Sequence, residues 1–133
     1  MKKVLLVCAA ACNEIEECLT RAGCLVTKVH AGAEAVWRAK HDIFDVAILV
    51  STGKDMDRAE TALNLRDINS SVPIIMIRHP DRSPAPSTLV AEAIENTVVL
   101  TPRELDQYLS APQWRAKLAD RALRRSSPRA KEH

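Results

Sequence analysis

Cys8, Cys12, Cys18 and Cys24 bring all four thiols of the chain into its first 24 residues. Their spacings match neither paired CxxC motifs nor the common zinc patterns, so no metal centre is expected from them. They are expected to be small apolar residues of a reducing compartment. Cys8 could be a redox-sensing thiol with Arg78 or His79 nearby to lower its pKa, but a small apolar side chain that fills space beside Val50 is the stronger reading. Arg78 and His79 together could also offer donors to a small anion, although a solvent-facing Arg at a strand end is the commoner arrangement. His30 and His41 have no spaced Cys or acidic partner, so neither is read as a ligand or a base. No HExxH, GxSxG or Ser-His-Asp arrangement is present, and no GxGxxG or GxxxxGK[ST] loop follows the first apolar run. The expectation is a protein that is not an enzyme and uses no cofactor.

The elements that would position these residues alternate regularly. Val4 to Val7 is a short, wholly apolar run, as expected of a strand covered on both faces of a parallel sheet. Its flanking Lys2 and Lys3, with the apolar stretch up to Cys12, resemble a signal peptide, but the rest of the chain needs this run as a central strand. From Asn13, the residues Ile15, Cys18, Leu19 and Ala22 recur at helical spacing, and Gly23 ends that helix. Cys24 to His30 reads as a second strand, Gly32 as a turn, and Ala33 to Lys40 as a helix with Ala35, Val36 and Ala39 inward. Phe44 to Val50 is a third strand, followed by a helix whose inward residues are expected to be Ala59, Ala62, Leu63 and Leu65. Val72 to Ile77 is a fourth strand, Leu89 to Ile94 a short helix, Thr97 to Leu100 a fifth strand and Arg103 to Leu109 a last helix. Five such units predict an α/β fold, a doubly wound five-stranded parallel sheet with right-handed crossovers. The working site of such a sheet lies beyond the carboxyl ends of its strands.

Composition agrees. Hydrophobic residues make up 47% of the 133, yet aromatics only 3%, so the core must come from Val, Ile, Leu and Ala. The net charge of +2 conceals an asymmetry: residues 1–111 carry 12 Lys and Arg against 15 Asp and Glu, and residues 112–133 carry 7 against 2. This predicts a mildly acidic domain over 1–111 and a basic helix and disordered tail over 112–133. Nucleic acid is not an expected partner except through that tail. No stretch approaches the length of a membrane span, and the cytoplasm is the expected location.

The pattern resembles the receiver (CheY-like) domain of bacterial two-component response regulators over about residues 2–110. The resemblance is carried by Gly23, by Gly32 with Glu34-Ala35-Val36, by Phe44-Asp45-Val46-Ala47-Ile48-Leu49, by Val72-Pro73-Ile74-Ile75-Met76-Ile77 and by Thr101-Pro102. It implies a flavodoxin-like sheet in strand order 2-1-3-4-5. Receivers accept a phosphoryl group on an aspartate ending strand three, with Mg²⁺ held by that aspartate and an acidic pair ending strand one. The matching positions here are Val50, Cys8 and Ala9, and the Thr or Ser and the Lys that contact the phosphoryl group correspond to Arg78 and Thr101. Asp45 would start strand three, about 16 Å from its far end, and Asp55 and Asp57 follow it. The resemblance therefore implies a pseudo-receiver without the phospho-accepting Asp.

The function expected is a phosphorylation-independent signalling or regulatory module that acts through a protein partner of signalling or transcription control, with a homodimer as a further option. An atypical receiver switched by phosphorylation or a small ligand is the alternative, and an enzyme of another α/β class comes third. By the resemblance, the partner surface would include Glu92, Glu95, Arg103, Glu104, Gln107 and Tyr108. In the tail, Ser110 and Gln113 have capping-box spacing. Trp114, Leu118 and Ala122 then recur on one face, with Arg115 and Arg121 among the cations covering the rest. Trp114, Arg115 and Arg121 join the candidate partner surface.

Overall fold

A computed structural model describes residues 2–9, 12–51, 55–79, 93–111, 116 and 120, and leaves the side chains of 51 and 55–57 undescribed. Strands β1 (Lys3–Cys8), β2 (Leu25–Val29), β3 (Val46–Ser51), β4 (Ile74–Ile77) and β5 (Thr97–Leu100) alternate with helices α1 (Asn13–Arg21), α2 (Gly32–His41) and α3 (Asp55–Ile68), and α4 (Pro102–Leu109) follows β5. The strands form one sheet in the order β2-β1-β3-β4-β5, with every neighbouring pair parallel. The expected fold and strand order are thus observed.

Strand alternation divides the core into two layers. Val4, Leu6 and Cys8 of β1 join Ile75 and Ile77 of β4 on one face, where Ile15, Cys18 and Leu19 of α1 and Leu105 and Leu109 of α4 cover them. Leu5 and Val7 join Leu49, Ile74 and Met76 on the other, against Ala35 of α2 and Ala62 and Leu65 of α3. A central strand buried on both faces needs no polar side chain, which is why β1 and β4 read as unbroken apolar runs.

Local chemistry sets the boundaries. Gly23 has φ +82, and its N–H bonds to the Thr20 carbonyl while that of Cys24 bonds to Leu19, the paired bonds that end a helix through a left-handed residue. The carboxylate of Asp45 accepts from the Lys3 backbone N–H at 2.8 Å, and Asp42 accepts from the Lys3 ammonium at 2.6 Å. Both aspartates therefore tie the start of β1 to the approach to β3, at the amino end of the sheet. Arg66 fastens the next turn: it donates to the carbonyls of Ser70, Val72 and Asn96 at 2.9–3.2 Å, and burial lowers its pKa.

Two expectations need correction. Gly32 is the first residue of α2 rather than a turn; a Cβ there would lie 2.2 Å from Thr61 Oγ1, so the residue lets α2 approach α3. Leu63 does not face inward but is 49% exposed. The inner stripe of α3 is Arg58, Thr61, Ala62 and Leu65, and at 100° per residue Leu63 turns off it. Ser110 closes α4 as the sequence suggests, its hydroxyl donating to the Asp106 carbonyl at 2.9 Å; Gln113, its expected capping partner for a following helix, lies outside the described residues. The helix expected over Leu89 to Ile94 lies mostly outside them too, and its described end, Ala93 and Ile94, is in turn and bend geometry.

Candidate functional site

The carboxyl ends of β1, β3, β4 and β5 meet at one edge of the sheet, as the parallel topology requires. β1 and β3 run in simple register up to Val7 opposite Leu49, and then Cys8 lies opposite Ser51. Val50 is skipped, so the ladder bulges at that residue. Such an irregularity re-aims the groups around it. The Val50 side chain is half-buried and packs against the α1 and α4 layer.

The carbonyl of Val50 faces a residue that sequence reasoning missed. Arg58, in the first half of α3, is 7% exposed, and its Nη1 donates to the Val50 carbonyl at 3.0 Å and to the Ile77 carbonyl at 2.8 Å. One guanidinium thereby joins the ends of β3 and β4. A charged donor makes such bonds stronger than neutral ones, and the two hydrogens of one guanidinium nitrogen serve the two carbonyls. The signal available in the sequence was the spacing of Arg58, Ala62 and Leu65 at i, i+4 and i+7.

The remaining strand ends carry a mixed set. Cys8 is buried and Ala9 exposed. Arg78 extends the β4–β5 ladder by one backbone bond, 2.8 Å to the Leu100 carbonyl, with its side chain half-buried, and His79 is exposed. Thr101 caps α4: its hydroxyl accepts from the Glu104 N–H at 3.1 Å, while the Glu104 carboxylate accepts from the Thr101 N–H at 2.9 Å. Among the described residues no group of three or more His, Cys, Asp or Glu is placed to hold a metal ion. Asp55 and Asp57 stand in the first turn of α3, with side chains outside the description.

Of the candidate partner residues, Glu95, Arg103 and Gln107 are exposed. Glu104 is half-buried and committed to the cap, and Tyr108 is half-buried against the α1 and α4 layer. Glu92, Trp114, Arg115 and Arg121 lie outside the described residues. His41 is occupied locally, its Nδ1 2.7 Å from the Trp37 carbonyl and its ring stacked on Trp37 at 4.3 Å. A hollow lined by Leu5, Phe44, Ala47 and Ile74 lies at the opposite, amino end of the sheet and touches none of the strand-end residues. Among the described residues no helix is long and apolar enough to cross a membrane.

No family model matches the sequence, and no curated protein matches it. Solved structures do. The chain is similar to a response regulator receiver protein from Sinorhizobium medicae, at 23% identity and a TM-score of 0.68, with 90% of this chain and 94% of that one covered. It is similar to the Vibrio cholerae chemotaxis protein CheY4 at 26% identity and a TM-score of 0.66, covering 83% of this chain and 97% of that one. A third similar structure is the receiver domain of a sensor histidine kinase from Pseudomonas aeruginosa, with a magnesium ion coordinated in its active-site cleft; identity is 22%, the TM-score 0.67 and coverage 86% and 98%. The structural neighbours of this chain are thus CheY-like receiver domains of response regulators, and it shares their doubly wound fold.

Proposed function

We propose that this chain is a receiver-like regulatory module of bacterial two-component signalling that works through protein contacts in the cytoplasm and without phosphorylation. The observation that carries this reading is Arg58, whose buried guanidinium holds the Val50 and Ile77 carbonyls. At the carboxyl ends of β3 and β4 this supports a site that carries a side-chain cation of its own. Magnesium requires oxygen ligands; the matched positions offer the thiol of Cys8, the methyl of Ala9 and the aliphatic side chain of Val50, and the Val50 carbonyl already accepts from a positive group. These residues do not fit magnesium. A phosphoryl group transferred here would lack both an attacking carboxylate and the charge clamp that such transfer needs.

In this reading residues 1–111 are the body and 112–133 a basic tail, and the output is a surface. Glu95, Arg103 and Gln107 are the exposed members of the face that would meet a protein partner. The test is to titrate the full chain with acetyl phosphate, and separately with beryllofluoride, in the presence of Mg²⁺, following amide chemical shifts and intact mass. The expected result is no saturable shift and no added phosphoryl mass. A stoichiometric, base-labile phosphoryl group mapped to any Asp would overturn the proposal.

A further inference from the structure

Cys8 is the last residue of β1 and Cys12 is the N-cap of α1, so the two thiols flank the connection between these elements. Both are buried, 1% and 7% exposed, within the same apolar layer. Cys12 occupies a capping position, yet its side chain makes no capping bond to the helix. It is hydrogen-bonded to Cys8 instead, and burial together with that neighbour pushes the Cys12 thiol up to about 12.

A cation completes the group. The β1–β2 register sets Lys28 beside Leu6, which puts it on the sheet face that Leu6 and Cys8 share. Its ammonium is 3.2 Å from Glu16 in the first turn of α1, and it interacts electrostatically with both thiols. The other cysteines are engaged elsewhere: Cys18 accepts from the Arg21 guanidinium at 3.4 Å and hydrogen-bonds to Asp106, while Cys24 follows the turn at Gly23.

We propose that Cys8 and Cys12 are a reversible oxidation site that closes to an intrachain disulfide under a small peroxide, with Lys28 as the cation on the same sheet face. This stands apart from the reading of the strand ends given above and does not depend on it. The Cys8 thiolate attacks one peroxide oxygen; the S–O bond forms as the O–O bond breaks, and the leaving hydroxide takes a proton to become water. The Cys12 sulfur then attacks the Cys8 sulfenic acid; the S–S bond forms as the S–O bond breaks, and the hydroxyl leaves with the Cys12 proton as a second water. Two electrons pass from sulfur to oxygen, and one hydrogen peroxide is consumed per disulfide. Burial pushes the Cys12 thiol up, which suits it to the resolving step. A dithiol reductant reverses the reaction.

The test uses the reduced full chain, treated with hydrogen peroxide and then alkylated. Trypsin releases Val4 to Arg21, which holds three of the cysteines, and cleavage after Glu14 separates Cys8 and Cys12 from Cys18. The expected Val4 to Glu14 peptide is two hydrogens lighter than the dithiol, resists alkylation until dithiothreitol is added, and forms equally in the Cys18→Ala/Cys24→Ala variant. Cys12→Ser should stop at a Cys8 sulfenic acid trapped by dimedone. Lys28→Met should slow closure several-fold without changing the linkage, and an unchanged rate would overturn the part given to Lys28. Complete alkylation of all four cysteines after peroxide, or a linkage through Cys18 or Cys24, would overturn the site. Should Cys12→Ser fold poorly, the wild-type map and the Cys18→Ala/Cys24→Ala variant decide the matter alone.

Discussion

The guanidinium of Arg58 and the carbonyl of Ile77 are joined by a buried 2.8 Å hydrogen bond between residues 19 apart in sequence. Because the same nitrogen also serves Val50, removing it leaves two strand-end carbonyls short of a donor in a site that water reaches poorly. Arg58→Met is expected to lower unfolding free energy by about 2–4 kcal/mol, since orphaned buried acceptors cost more than a hydrogen bond gains. Arg58→Lys keeps a charged donor on a shorter side chain and should cost less. Urea denaturation at neutral pH measures both; wild-type stability in Arg58→Met would show that the strand ends do not need the guanidinium.

The sheet could be read from the sequence because its strands are buried on both faces and therefore written as uninterrupted Val, Ile and Leu, with turn residues between them. Thr97 to Leu100 even ends where it was expected to. Arg58 could not be read this way. An arginine within a helical pattern is ordinarily solvated, and its burial follows from carbonyls on two strands that are distant in sequence. The Leu63 error is the same fact from the other side: apolar character suggested an inward residue, but Arg58, Thr61 and Ala62 already occupy the inner stripe. The contact of Cys8 with Cys12 was hidden too, because a Cys-x₃-Cys spacing acquires meaning only when one residue ends a strand and the other caps the next helix.

Gly32 and Thr61 set the closeness of α2 and α3. A methyl added at Gly32 would lie 2.2 Å from the Thr61 hydroxyl oxygen, which sits on a short, β-branched, buried side chain. Gly32→Ala should therefore destabilise by about 1–3 kcal/mol, the usual range for overpacking. The double variant Gly32→Ala/Thr61→Ala removes the obstructing atoms and should recover much of that loss. Additive losses in thermal or urea unfolding would show that this approach does not limit the packing.

Cys12 gives stability a dependence on alkaline pH. Its thiol is raised from 9.0 to about 12 in the folded protein, first by burial and then by Cys8. Above pH 9 the unfolded chain releases this proton while the folded chain retains it, so stability falls as pH rises through the interval up to about 12 and is unaffected by this group below it. Burial pushes Cys18 and Cys24 in the same direction, so Cys12→Ala should flatten the loss without abolishing it. Urea midpoints under reducing conditions at neutral and alkaline pH measure the slope. Equal slopes in wild type and Cys12→Ala would remove Cys12 from this account.

Thr101 stands where the receiver resemblance places a phosphoryl-contacting lysine, yet its hydroxyl accepts the Glu104 N–H and begins α4. An N-cap of this kind is worth about 1 kcal/mol, so Thr101→Ala should lower stability by roughly that amount. Thr101→Lys should cost at least as much, because an ammonium donates and cannot accept the helix N–H. Glu104→Ala removes the reciprocal bond to the Thr101 backbone and should cost a similar amount, while Glu104→Gln, which can still accept that N–H, should cost less. The lysine substitution also bears on function. If the strand ends are unresponsive because they lack carboxylates and hold the Arg58 guanidinium, then restoring lysine alone leaves the chain as inert to acetyl phosphate and Mg²⁺ as the wild type. A Thr101→Lys variant that gained a stable phosphoryl group would mean that an acceptor was present all along and only its cationic partner was missing.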